Sequence, residues 1–219
     1  MGKEVDLLIN YPKTKRNLEE RSSSKTEEDR AIARKFDLEF FDGDRRHGYG
    51  GLKYNARFWQ PVIPTFKSYW DLNSQSSVLD VGCAKGFMIH DLAELVPGIC
   101  VKGVDISEYA VNNAISNMKL NMQVADAKNL PFDDNSFDVV ISINTIHNLE
   151  VDECAKALRE IERVSKGKSF VTVDAYRNED EKHRMHAWNL TAKTIMSVDD
   201  WVKFFRISGY TGDYFWFTP

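Results

Sequence analysis

Polar and apolar positions follow three different rhythms along the chain. Residues 1 to about 30 are mostly polar, with "RSSSKTEEDR" at their centre. They read as an arm leading into a helix capped near Ser24 or Thr26. Between 27 and 41 the apolar residues Ile32, Phe36, Phe40 and Phe41 recur at roughly helical spacing. From residue 77 short apolar runs alternate with amphipathic ones. "SVLDV" (77–81), "CVKGVD" (100–105), "MQVAD" (122–126), "SFDVVISIN" (136–144) and "SFVTVDA" (169–175) read as strands. The stretches 86–96, 107–118, 152–165 and 198–208 read as helices, with Ser107 and Asp152 as caps. The unbroken apolar run inside 136–144 suits a strand covered on both faces.

Strands alternating with helices predict parallel βαβ units and an α/β, doubly wound, mostly parallel sheet. Ligands bind such sheets at the carboxyl ends of the strands. Asp80, Asp105, Asp126 and Asp174 all fall at predicted carboxyl ends, where they can face one crevice. The chain divides into an N-terminal helical arm, 1–60, and a domain over 61–219 with an insertion at 176–196. The end of the arm, "FDGDRRHGYGGLKYNARFW" (41–59), is rich in glycine, aromatics and arginine.

Chemistry is most concentrated in "SVLDVGCAKGFM", residues 77–88. A strand passes through Asp80 and turns at Gly82 and Gly86, where backbone N–H groups and close approach to a ligand become available. Asp105 lies 23 residues beyond Gly82, at the end of the second strand, where a carboxylate can accept both hydroxyls of a ribose. A dinucleotide loop would place glycine at Ala84 and a small residue at Phe87. Asp80 would repel a pyrophosphate but favour a cationic ammonium. The turn therefore predicts a nucleoside cofactor that carries a positive charge.

"VLDVGCAKG", followed by "GVDIS" and "ADAKNLPFDDNSFDVVISINTIHNL", resembles the class I S-adenosylmethionine-dependent methyltransferases over about residues 77–175. The resemblance implies a Rossmann-like sheet of the seven-stranded type and S-adenosyl-L-methionine as cofactor, leaving S-adenosyl-L-homocysteine. By position, Asp80, Gly82, Cys83 and Gly86 match the loop under the amino-acid part of the cofactor. Asp105 and Ile106 match its ribose and adenine positions, and Asp126 and Ala127 the residues beside the adenine amine. Ile143 and Asn144 match the strand end beside the methionyl group. The chain departs from the family at Ala84, where glycine is usual; a methyl group is tolerated there if φ is negative. It departs again after helix 198–208, where two antiparallel strands are usual and only "GDYFWFTP" follows, so one terminal strand is missing or displaced.

His147 would overhang the methyl group as a general base, or serve as a structural loop histidine. His183 and His186, at i and i+3, would line the substrate pocket or sit on a solvated lid. If the arm closes as a lid, Arg57 meets the methionyl carboxylate and Tyr49 or Trp59 lies against the sulfonium or substrate. The bland alternative is that this segment packs on the sheet edge.

Composition narrows the class further. Lys plus Arg is 29 and Asp plus Glu is 33, a net charge of −4, which disfavours the basic face of a nucleic-acid binder. Cys83, Cys100 and Cys154 have neither zinc nor disulfide spacing, no metal cluster stands out, and a reducing compartment fits best. The start, "MGKEVDLLINYPKTKRNLEE", has no apolar stretch long enough for a signal peptide or membrane span, so the chain reads as cytoplasmic, without a membrane partner. The expected function is methyl transfer to an oxygen or nitrogen of a small molecule, an anionic one given Arg45, Arg46 and Arg57. Protein or RNA methylation, and cofactor binding without transfer, are the alternatives.

Overall fold

The computed structural model describes residues 2–13 and 25–218, so Ser24 lies outside the described residues. Thr26 caps α1 (Glu27–Ala33): its hydroxyl accepts the Asp29 N–H at 3.1 Å, and the Asp29 carboxylate accepts the Thr26 N–H at 2.8 Å. The helix does not run on to residue 41. Phe36 turns left-handed, at φ 50°, and a second short helix, α2 (Leu38–Phe41), starts from the cap Asp37. The aromatic spacing marks a cluster instead of one helical face. Phe40 meets Phe36 at 5.1 Å and Phe41 at 5.0 Å, both edge-on.

The remaining elements are α3 (Ile63–Trp70), β1 (Ser77–Val81), α4 (Phe87–Leu95), β2 (Cys100–Asp105), α5 (Glu108–Asn112), β3 (Met122–Val124), β4 (Val139–Ile143), α6 (Val151–Val164), β5 (Ser169–Tyr176), α7 (Glu179–Trp188), β6 (Met196–Ser197), α8 (Val198–Ser208) and β7 (Asp213–Phe217). The helix expected over 107–118 stops at Asn112. A 3₁₀ turn over Ser116–Asn121 then leads into β3. Glu150, two residues before the expected Asp152, caps α6. The insertion at 176–196 contains α7, capped by Asn178.

The sheet order is β3-β2-β1-β4-β5, and every pairing between named strands is parallel. The far edge of β5 is shared. β7 pairs with Phe170–Asp174, and the two-residue β6 continues the same edge at Ala175 and Tyr176. The antiparallel end usual in the family is replaced by a strand running with the others. Gly209 ends α8 in a left-handed turn, φ 78°, and the chain crosses back to start β7 beside the start of β5. Residues of the N-terminal arm cover the outer side of β7: Val5 N–H donates to the Tyr214 carbonyl at 3.0 Å and Tyr214 N–H to the Lys3 carbonyl at 3.1 Å.

Alternate strand residues feed two cores. Val78, Val139, Ile141 and Phe170 pack with Ile63, Phe66, Ile89 and Leu92 on one face. Leu79, Val140, Val171 and Val173 pack with Leu158, Ile161, Trp201 and Phe205 on the other. This period of two, buried on both sides, explains the continuous apolar runs. It also leaves only the strand ends free to carry polar chemistry.

Candidate active site

Gly82 and Gly86 hold left-handed conformations, at φ 88° and 78°, at the exit of β1. Each also needs its missing side chain. A Cβ at Gly82 would lie 2.1 Å from Thr145 Oγ1, and one at Gly86 would lie 2.4 Å from Met122 Sδ. Ala84 between them is left-handed too, at φ 49°, against the expectation of a negative angle. Its N–H donates to Asp105 Oδ2 at 2.7 Å, a charge-assisted bond that offsets the roughly 1–2 kcal/mol cost of that conformation for a non-glycine residue.

Four N–H groups of the loop are already used. Those of Gly82 and Cys83 donate to the Val104 carbonyl at 2.8 and 3.0 Å, that of Ala84 to Asp105, and that of Gly86 to the Cys83 carbonyl at 2.8 Å. The Cys83 side chain is buried. Its sulfur lies 2.7 Å from where a Cβ on Gly103 would sit, so it packs under the loop, and burial pushes its thiol pKa well up. The loop is therefore no nest for phosphates.

Beneath the loop lie two carboxyls. Asp80 is 4% exposed and forms no hydrogen bond or ion pair among the described residues. Burial, reinforced by the charge of Asp105, pushes its pKa up to about 8. Asp105 is 9% exposed and also raised by burial, a shift opposed by the N–H groups it accepts from Ser107 at 2.9 Å and from Ala84. Each of its oxygens keeps a lone pair for a hydroxyl. A lone buried carboxyl beside a hydroxyl acceptor fits a cationic, ribose-bearing cofactor and does not fit a pyrophosphate.

The other predicted positions line up along the same strand ends. Ile106 is 55% exposed at the end of β2, a bare apolar surface for a base. Asp126 follows β3, with Oδ1 accepting the Lys128 N–H at 2.9 Å, and Ala127 packs on the second core. Ile143 ends β4 against the first core. Asn144 turns left-handed, φ 52°, and is fixed by Thr172: its N–H donates to Thr172 Oγ1 at 3.0 Å and Thr172 donates back to its Oδ1 at 2.8 Å.

His147 is buried, and burial lowers its pKa despite the nearby Asp174. Its Nδ1 accepts the Asp174 N–H at 2.9 Å. That bond fixes the neutral tautomer with the proton on Nε2, so no lone pair is free to act as a base. Its carbonyl accepts the N–H groups of Lys193 and Thr194 at 3.0 and 2.9 Å, which ties the insertion to the loop after β4.

The arm reaches the site through residues that the sequence did not single out. Lys85, 6% exposed in the middle of the glycine loop, donates through Nζ to Asp42 Oδ2 at 2.6 Å and to the Leu52 carbonyl at 3.0 Å. Tyr109 donates its hydroxyl to the same Asp42 oxygen at 2.6 Å. Further along, the Tyr54 hydroxyl donates to Asp91 Oδ1 on α4 at 2.5 Å. Tyr49 stacks on Phe41 at 6.0 Å, and Phe41 on Tyr109 at 6.3 Å. Arg57 is exposed with its guanidinium over the Phe58 ring at 4.6 Å, and Trp59 packs edge-on against Tyr11 at 5.0 Å. Arg46 pairs with Asp44 at 3.2 Å, and Arg45 bonds the Tyr49 carbonyl. On α7, His186 lines a cavity beside α1 and His183 is exposed. The only signal for Lys85 was its place in the glycine loop; its partner lies 43 residues away in sequence.

Comparison with known proteins gives the same architecture. The methyltransferase domain family matches residues 72–209. A tRNA (carboxymethyluridine(34)-5-O)-methyltransferase of Arabidopsis thaliana is 31% identical over 166 residues, 68% of this chain and 39% of that protein. The sterol 4-C-methyltransferase strm-1 of Caenorhabditis elegans is 31% identical over 121 residues, 50% of this chain and 34% of that one. The chain spans 34% to 59% of the length of the curated relatives it matches first. Among solved structures, a chain of the complex between the Haloferax volcanii Trm112 methyltransferase activator and a methyltransferase superposes with a TM-score of 0.54 at 25% identity, covering 66% of each chain.

Proposed function

The chain belongs to the class I S-adenosylmethionine-dependent methyltransferase family, and on that premise we propose that it moves the cofactor's methyl group to an oxygen or nitrogen of a small molecule. The observation that carries the cofactor half of this reading is Asp80: a buried carboxyl without a partner among the described residues, under a loop four of whose N–H groups are already spent. Such a site is complementary to a cation. When bound, S-adenosylmethionine supplies a methyl group already activated on sulfur, so the protein has to align the acceptor and keep water out.

In this reading Asp80 takes the ammonium of the methionyl part and Asp105 the ribose hydroxyls. Ile106, Asp126 and Ala127 take the adenine, and Ile143 and Asn144 form the wall beside the methyl group. His147 is assigned a positioning part. It clamps the Asp174 backbone and the start of the 193–194 segment, and no general base is assigned to it. An acceptor whose nucleophile is unprotonated, or loses its proton to water, needs none. A small acceptor is supported by the acidic balance of the chain. The named relatives act on a tRNA and on a sterol, and this chain spans less than two fifths of either.

The test is to incubate the protein with methyl-tritiated cofactor and an unlabelled cell extract, then separate the products by size. Label in the small-molecule filtrate is the expected result. Label confined to the RNA or protein fraction would replace the small acceptor by a macromolecule.

A further inference from the structure

A cavity of about 520 Å³ opens between α1, the loop after β4 and the segment 189–195. We propose that it is an oxyanion subsite, in which Arg34 and Lys193 grip a carboxylate or phosphate group of the ligand. Calling that ligand the methyl acceptor rests on the function proposed above; the binding of the anion does not.

The charges around the cavity are arranged by depth. Arg30, Arg34, Lys193 and His186 line it together with Glu27 and Glu150. The acids stand out in water, with side chains 86% and 60% exposed, whereas the Arg30 side chain is 17% exposed. The Lys193 side chain is 38% exposed, between the two. Solvent screens the outer carboxylates more than the deeper arginines, which biases the cavity toward an anion. Arg30 is held in place by the Asn189 carbonyl, and its Nε forms an ion pair with the exposed Glu27 at 3.2 Å without hydrogen-bond alignment. Among the described residues Arg34 has no carboxylate partner, and its Nε reaches the Thr191 carbonyl at 3.4 Å. Its planar fork therefore remains available for two-point recognition of an oxyanion. Lys193 pairs with the exposed Glu150 at 3.2 Å, a contact a bound anion would displace at little cost.

The floor of the cavity is tied down by hydrogen bonds. Asn189 and Ala192 exchange two hydrogen bonds of 2.7 Å, and the Thr194 hydroxyl donates to the Leu149 carbonyl at 2.7 Å. With the His147 carbonyl bonds, these join the insertion to the loop that leaves β4 at Asn144. The cavity thus stands on the segment continuous with the wall assigned to the methyl group. Arg45, Arg46 and Arg57, the arginines from which an anionic acceptor was expected, do not line it.

The test follows the His186 imidazole Cε1–H signal by NMR at constant pH, with the signal assigned through His186→Gln. Inorganic phosphate and, separately, acetate are titrated against chloride at matched ionic strength. A saturable shift with phosphate, with acetate or with both is the expected result, and which of them saturates tells a phosphate from a carboxylate ligand. Arg34→Ala should raise the half-saturation concentration about fivefold or more, Arg34→Lys and Lys193→Gln less, since only Arg34 offers a bidentate fork. Circular dichroism checks that each variant is folded. A shift that tracks chloride alone, or an unchanged midpoint in both Arg34→Ala and Lys193→Gln, overturns the proposal. Asp105→Ala should leave the anion response intact while cofactor binding falls, so the anion subsite and the methyltransferase reading can fail separately.

Discussion

At Asp80 a carboxyl is buried with no partner among the described residues, and burial together with Asp105 holds its pKa at about 8, far above its ordinary value of about 3.9. A folded-state pKa raised in this way favours the folded protein fully only below about pH 4, and that contribution is lost as pH rises toward 8. A bound ammonium reverses the preference, because it stabilises the charged carboxylate. Below pH 8, cofactor binding must then expel a proton. Calorimetry with S-adenosylhomocysteine should show affinity weakening by up to about tenfold per pH unit from 8 to 6, and a flat, weaker profile in Asp80→Asn. A pH-independent affinity in the wild-type chain would remove Asp80 from the ammonium site. Asp80 and Asp105 were legible in the sequence because strand periodicity fixes where a strand ends and which face a residue takes. The left-handed angle of Ala84 was not legible. It depends on the bond from its N–H to Asp105, a residue on another strand.

Among the elements, the strands of the central sheet were the easiest to read, since burial on both faces leaves unbroken apolar runs. The arm was harder. Its composition marked it as unusual, yet the side chain that joins it to the glycine loop is Asp42, through Lys85 and Tyr109. No local pattern announces a contact between segments so far apart. The apparent helical spacing over 27–41 likewise belonged to ring packing around Phe40, with Phe36 breaking the helix. The Asp42 contact holds the arm down on the loop. Asp42→Ala leaves Lys85 without its carboxylate in a position where its side chain is 8% exposed. Hydrogen bonds to charged groups contribute about 1.5–3 kcal/mol, and the 30% exposure of Asp42 places the loss toward the lower end of that range. For a chain of this size that is a fall in Tm of roughly 4–8 °C. Asp42→Asn, which keeps an acceptor, should fall less. An unchanged melting curve in Asp42→Ala would show that the contact does not hold the arm.

On the scale of the whole molecule, one parallel sheet brings three separate loops to the same edge: the glycine loop after β1, the acidic end of β2 and the turn after β4. The arm and the insertion close around that edge from either side. Their contacts are the arm's Asp42 and Leu52 on the glycine loop and the insertion's Lys193 and Thr194 on His147. The departure at the end of the sheet, where β7 runs parallel beside β5, lies on the far side of β5 from β1 and β2, away from these carboxyls. The variant sheet end therefore leaves the cofactor reading untouched. The most direct test of that reading is equilibrium binding of S-adenosylmethionine at pH 8 to the wild-type chain and to folded Asp105→Ala. Saturable binding at one site is expected, with at least about 1.5 kcal/mol of loss in the variant, roughly a tenfold weaker Kd. No binding to the wild-type chain, or the same Kd in both proteins, would contradict it.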